Sequence, residues 1–350
     1  MKHHGRRAGL ASVAAVILGA ALGVAPAAAV PPGWTAPVRI FAGHAGPAHA
    51  MAVDVAGFVH IATEGSGSTS GIWYLTNSSG HWQTTRVTTA DDHAPSIAVD
   101  DIGVHIAFTR HDAAAAGTWT ATNGSGDWVV TERHPGADGA PSLDVHAGIE
   151  HVAVASAAHA LLHLFGAWDS ASWTTETVDS SCCGSRPSLR LTSGGAVRIA
   201  YADGTPAHPS ALKLASRGGS WSSKTVDGHR SSSPSLVLDD ADHPDIVYLR
   251  AGAGTWYANK TTGPWGLRQL STTASGAPDI AAHSGSVAFI YGAHGKLTYA
   301  TMSGGIIWTV AFSKSGHDSR PEIERMGGTP VVIYDRTGSS ADGIEFSRQK

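Results

Sequence analysis

The sequence predicts an all-β protein: a single seven-bladed β-propeller of four-stranded antiparallel blades, closed when the N-terminal strand pairs with the last blade. Three observations predict it. Tryptophans recur at a near-constant spacing. A proline opens a short alternating stretch about 13 residues after each of them. No window sustains the 3.6-residue apolar period of a helix.

Residues 1–29 read as an export leader. Lys2, Arg6 and Arg7 precede the apolar run LASVAAVILGAALGV, and APAAAV supplies small residues for cleavage after Ala29. The run falls short of the roughly 20 apolar residues that span a bilayer, and no other stretch approaches that length. Residues 30–350 are therefore expected as a secreted monomer, the propeller itself, with no integral membrane segment.

The repeat fills the rest of the chain. Trp34, Trp82, Trp128, Trp173, Trp221, Trp265 and Trp308 are 48, 46, 45, 48, 44 and 43 residues apart. First strands open at Pro95, Pro141, Pro187, Pro234, Pro278 and Pro321 as PSIAVD, PSLDVH, PSLRLT, PSLVLD, PDIAAH and PEIERM. A looser copy, HAMAVD, follows Pro47. After an Asp- and Gly-rich turn come second strands such as VHIAFTR, VRIAYAD and PDIVYLR, then third strands such as GIWYLT and TWTAT, then the tryptophan strand. Each stretch alternates with period 2 between turn residues, the mark of strands in tight antiparallel succession. Six tryptophan strands follow a third strand; the seventh, GWTAPVRI, stands ahead of every blade, and the chain stops just after its last third strand. That strand is expected to complete the last blade and to cover two free edges. The repeated tryptophans, and Phe108, Tyr201, Tyr248, Tyr291 and Tyr334 at the second-strand ends, read as packing residues.

The turns before each tryptophan, TNSSGHW, TNGSGDW, WDSASW, SRGGSW and TTGPW, resemble the Asp-box (BNR-type) hairpin of secreted bacterial propellers of the sialidase-like group. None carries the motif's aspartate in place. The resemblance covers the whole mature chain and implies a ligand face built from two loop sets, those entering first strands and those joining second to third strands.

Composition excludes one class of partner. The leader removes three of 24 basic residues, leaving 21 against 28 acidic ones, a net charge of −7 with histidine neutral. A nucleic-acid binder needs a basic face, so none is expected here. No Walker loop, dinucleotide fingerprint or nucleophile elbow is present, and no cofactor is expected.

Two residues past the second-strand aromatic position stand Gly65, Arg110, Ser156, Asp203, Arg250, Ala293 and Arg336, expected to ring the channel mouth; three are arginines and one an aspartate. Guanidinium forks around one cavity suit a carboxylate, sulfate or phosphate. The competing reading is pairing with Asp112, Asp203 and Asp335. Sialidases hold the substrate carboxylate with an arginine triad, and the resemblance then implies a tyrosine nucleophile. Tyr201 and Tyr334 belong to the packing position, and no spacing singles out an acid or base pair among Glu64, Glu322 and Asp203. Catalytic residues are therefore left unassigned. Of 20 histidines, many fall in the loop sets, among them His44, His49, His93, His111, His134 and His317. No spacing builds a metal site, because the loops belong to different blades, so no metal is expected.

Both cysteines, Cys182 and Cys183, are adjacent in SSCCGSRPSL, the loop entering the fourth blade. In an exported protein they should oxidise to a vicinal disulfide. Such a bridge closes no chain loop and contributes almost nothing through unfolded-state entropy. It reads as an apolar platform beside the ligand face. The predicted function is an exported binding module. It holds a glycan or other polar ligand, anionic ones included, with Arg110, Asp203, Arg250, Arg336, Cys182, Cys183 and His93 as binding residues. The alternatives are a sialidase-type glycoside hydrolase and a non-catalytic protein-interaction scaffold.

Overall fold

The structure, a computed structural model, describes residues 33–42, 45–136, 138–183, 186–205, 208–313, 318–337 and 342–350. The predicted leader with its cleavage point, His44 and His317 lie outside them. Seven four-stranded antiparallel sheets form a ring of seven blades. Their first strands, blades 1 to 7 in order, are Ala45–Val53, Asp92–Val99, Ser142–His146, Ser188–Leu191, Ser231–Leu238, Asp279–His283 and Asp318–Met326. Among the described residues the one helical segment is the 3-10 turn Gly67–Thr69. No helix of the described residues is long and apolar enough to cross a membrane.

The ring closes as the end-count predicts. Val38–Ala42 pairs antiparallel with Gly343–Arg348, with Val38 opposite Phe346 and Ala42 opposite Gly343. Ahead of that strand the Thr35 amide donates to the Arg348 carbonyl at 2.8 Å, and Trp34 bridges to Gln349. Trp34 is 2% exposed and meets Tyr299 and Phe312 edge-on, with centroids at 5.0 and 4.8 Å.

The apolar core is divided among the blade interfaces. Because successive strand side chains face opposite ways, a second strand serves both neighbours at once. Tyr201 packs toward blade 3 with Leu161 and Ala153, while Ala200 packs toward blade 5 with Leu236 and Tyr248. Among the described residues seven such clusters occur, one per interface, including the closing one where Met51 and Ile61 of blade 1 meet Ile333 and Ile344 of blade 7. Phe108, Tyr201, Tyr248, Tyr291 and Tyr334 are all at most 2% exposed, and burying a side chain of that size stabilises by about 1.5–3 kcal/mol.

The serine of the repeated Pro-Ser-Leu or Pro-Ser-Ile motif has a separate task. Ser96 Oγ accepts from the Leu143 amide, Ser142 Oγ from Leu189 and Ser188 Oγ from Leu236, at 2.9–3.0 Å. Each serine thus ties one innermost strand to the next. In blade 6 Asp279 replaces it, accepting from Ser235 Oγ and from the Ile323 amide. The proline beside the serine lacks a donor. In blades 2, 5 and 7 the pairing skips that position through a bulge, between His93 and Ser96, Ser232 and Ser235, and Ser319 and Glu322. The aspartates of the first-to-second turns serve those turns, as Asp100 does by accepting from the Ile102 and Gly103 amides.

The tryptophans are not uniform. Trp82 packs on Phe346, Trp128 on Tyr74 and Trp221 on His163, each against the preceding blade. Trp308 is 68% exposed, so the packing role expected of all seven fails there. It stands on the outermost strand of blade 6, Ile306–Ala311, which leaves it facing outward.

Candidate functional site

The central channel is lined by first strands and by the residues that lead into them. It encloses about 270 Å³, at the small end of ligand pockets, which run about 300–1,000 Å³. Its charged lining is His49, Arg186, Arg190, Asp279, Arg320 and Glu322, with Glu324 further along the seventh first strand.

The predicted arginine ring does not reach this lining. Arg110, Arg250 and Arg336 end second strands, one layer behind the innermost strands, and they belong to three different sheets. Arg110 and Arg336 are taken up within their own blades, and Arg250 by the outermost strand of the preceding blade. Arg110 grips both Asp92 oxygens, at 2.6 and 2.9 Å, and lies 4.0 Å over Trp119. Arg250 donates to Asp227 at 2.9 Å and lies 3.5 Å over Trp256. Arg336 donates to Asp318 at 3.0 Å and to the Tyr334 hydroxyl. The partners are aspartates that open the blade's own first strand, Asp92 and Asp318, or end the preceding blade's outermost strand, Asp227, not Asp112, Asp203 and Asp335. The physical reason is antiparallel register: Asp92 is paired with Arg110, and Asp318 with Arg336. Asp203 holds Lys213 at 2.9 Å.

Cys182 and Cys183 are joined by a disulfide. They are 1% and 4% exposed, packed with Leu161, Leu189 and Tyr201 in the cluster between blades 3 and 4. The pair is therefore not an exposed platform. The Cys182 backbone bridges to Asp203 and Gly204, so Asp203 and the cysteines do come together. The same loop then carries Arg186 to the channel. Arg186 Nε donates to the Pro141 carbonyl at 3.2 Å and Nη2 to the Pro95 carbonyl at 3.0 Å, so it reaches across two neighbouring blades.

Arg186 and Arg190 were not singled out from sequence. The signal was present: the residue before the first-strand proline is Ala94, Ala140, Arg186, Ser233, Ala277 or Arg320, small except in blades 4 and 7. Among the described residues Arg186 and Arg190 have no carboxylate within ion-pair distance, and Arg186 Nη1 has no hydrogen-bond partner. Burial pushes the Arg186 guanidinium below its usual range, with Glu322 and Asp279 opposing from further off. Arg320, by contrast, is paired to Asp335 at 2.5–2.6 Å. Burial raises Asp279, with Glu322 adding to it, to about 6, and raises Glu324, against Arg190, to about 7.

The histidines are mostly partnered. His49, 3% exposed, lies 3.5 Å from both Glu322 and Asp335 across the joint of blades 1 and 7. His134 pairs with Asp138 at 2.8 Å. His93 contacts Asp91 at 2.9 Å and Glu64 at 3.4 Å, and stacks on His111. The expectation that loop histidines stay apart fails in blade 2, where one end of a strand pair, the start of the first strand and the end of the second, brings His93 and His111 together. Tyr201 and Tyr334 are buried, with their hydroxyls bound to Asp179 and Ser223 and to Arg336; burial raises both phenols far above their usual range.

No protein-family model and no curated protein matches the sequence. Solved structures share the fold. An ulvan lyase, described as a new family of polysaccharide lyase and solved bound to -[GlcA(1-4)Rha3S]-, superposes with TM-score 0.63 at 12% identity, over 90% of this chain and 95% of the other. Trypanosoma rangeli sialidase in complex with sialic acid gives 0.52 at 10% identity, over 91% of this chain and 59% of the sialidase. The SapL1 lectin in complex with α-methyl fucoside gives 0.50 at 12% identity, over 73% and 92%. The chain is a seven-bladed β-propeller whose structural neighbours are lyase, sialidase and lectin propellers.

Proposed function

We propose that the protein is an exported binding module that takes an anionic saccharide at the mouth of its central channel. The observation that carries this reading is the pair Arg186 and Arg190. Two guanidinium groups face a cavity without a carboxylate partner among the described residues. A cation drawn out of water without a carboxylate in direct contact is costly, and a bound carboxylate or sulfate would relieve that cost through charge-assisted hydrogen bonds. The small cavity suits a terminal sugar or a charged substituent rather than a threaded chain. Export is supported by the leader-like N-terminus and by a disulfide, which persists in oxidising compartments.

Binding is favoured over sialidase-type hydrolysis by the tyrosines. Their hydroxyls are buried and engaged, and neither lines the channel. The lyase, sialidase and lectin neighbours fit a glycan as the ligand class. The test is a glycan array that includes uronate-, sulfate- and sialate-bearing saccharides, run beside a turnover assay on the binders. Binding of anionic glycans without turnover, weakened at least tenfold in Arg186→Ala, is expected. Failure to bind any anionic glycan, or equal binding by Arg186→Ala, refutes the reading.

A further inference from the structure

We propose that Asp91, His93 and His111 form a binding site for a single divalent metal ion of the zinc type, outside the channel on the loop face of blade 2. One carboxylate oxygen and one nitrogen from each imidazole all lie within 4.8 Å of one another. Imidazole with carboxylate is a donor set that suits zinc and its neighbours. His93 Nε2 and Asp91 Oδ1 are 2.9 Å apart. Two ligands at about 2.0–2.1 Å from one metal are separated by about 2.9–3.4 Å, so this edge is already at bonding length. The His111 ring, the third ligand, is exposed and lies beside His93 with centroids 4.6 Å apart and planes 26° apart.

The backbone holds these groups in place. Asp91 immediately precedes the first strand of blade 2, which Asp92 and His93 open, and His111 follows the second strand, Val104–Arg110. Alternation sends Asp92 to one side, where it clamps Arg110 through both oxygens, and His93 to the other, where it meets Asp91. The His111 amide donates to the Asp91 carbonyl at 3.0 Å, tying the two segments that carry the ligands.

The second ring nitrogen of His93 is also provided for. Its Nδ1 lies 3.4 Å from Glu64 of blade 1, which is 1% exposed and fixed by the Ala94 amide at 2.8 Å. A carboxylate on the far nitrogen orients a metal-binding imidazole and raises its basicity. Three protein ligands, two of them exposed, leave coordination positions open to water or to an anionic group. The site is independent of the saccharide reading: it needs neither Arg186 nor the channel.

The test uses the full mature chain stripped of metal and titrated with zinc alone by calorimetry, with cobalt(II) absorption as a second readout. One equivalent is expected to bind, and thermal unfolding should shift upward with zinc concentration. His111→Ala and His93→Ala should each weaken binding at least tenfold, while His81→Ala, an exposed turn histidine, leaves it unchanged. Circular dichroism checks that the variants fold. Absence of stoichiometric zinc binding by the unmodified chain overturns the proposal, as does binding that survives both substitutions or is lost equally in His81→Ala.

Discussion

Two tryptophans at the same repeat position should respond oppositely to truncation. Trp34 is 2% exposed and sits edge-on between Tyr299 and Phe312, inside the cluster that joins blades 6 and 7. Trp308 is 68% exposed. Replacing a buried aromatic by alanine costs about 3–5 kcal/mol, and each edge-on aromatic pair contributes about 0.5–1.5 kcal/mol within or beyond that. Whole-domain stability is only about 5–15 kcal/mol, so Trp34→Ala removes a large fraction of it and loosens the strand that closes the ring. At about 2–4 °C per kcal/mol the unfolding midpoint should fall by roughly 6–20 °C. Trp308→Ala should stay within about 0.5 kcal/mol of the parent. Urea and thermal unfolding of both variants, followed by far-ultraviolet circular dichroism, measure this. Equal losses in the two variants, or a Trp34→Ala midpoint within about 2 °C of the parent, would refute the claim that closure rests on this side chain.

Further outcomes follow from the buried polar groups. Ser142→Ala strips the acceptor from the Leu189 amide; a buried donor left unpaired costs about 1–3 kcal/mol. Amide exchange should quicken at Leu189, and unchanged protection there would count against the serine tie. His105, fully buried between Glu150 at 2.6 Å and Asp100 at 3.1 Å, has its pKa lowered by burial but raised overall by Glu150 and then Asp100. Its ionised form therefore stabilises the fold fully below its unfolded pKa of about 6.5, and that contribution is lost as pH rises through the folded-state value. The stability gap between the parent and His105→Gln should narrow with rising pH; parallel curves would contradict the assignment. In the channel, Asp279 at about 6 and Glu324 at about 7 take up protons as pH falls. Arg186 and Arg190 then face fewer negative charges, so anionic saccharide should bind more tightly at about pH 5 than at about pH 8. Binding that is flat or weaker in acid would contradict this account of the channel.

The fold was legible because the repeat is written in local chemistry. Tryptophan spacing, proline-led alternation and the surplus strand at the N-terminus each follow from what one strand or one turn demands, and the same demand recurs along the chain. Even ring closure could be counted from the strands. The cysteine pair could be predicted to bond, because two adjacent thiols need no fold to meet. What the tertiary structure alone decided is which residues share space across blades. Antiparallel register paired Arg110 with Asp92 and Arg336 with Asp318, dispersing an arginine group that looks coherent when repeats are aligned. The turn of the chain into blade 4 buried the disulfide and delivered Arg186 to the channel. Hairpin geometry in blade 2 gathered Asp91, His93 and His111. Repeat alignment reports equivalent positions, which the ring places about one-seventh of a turn apart; a site is made of positions that are not equivalent, and only packing brings those together.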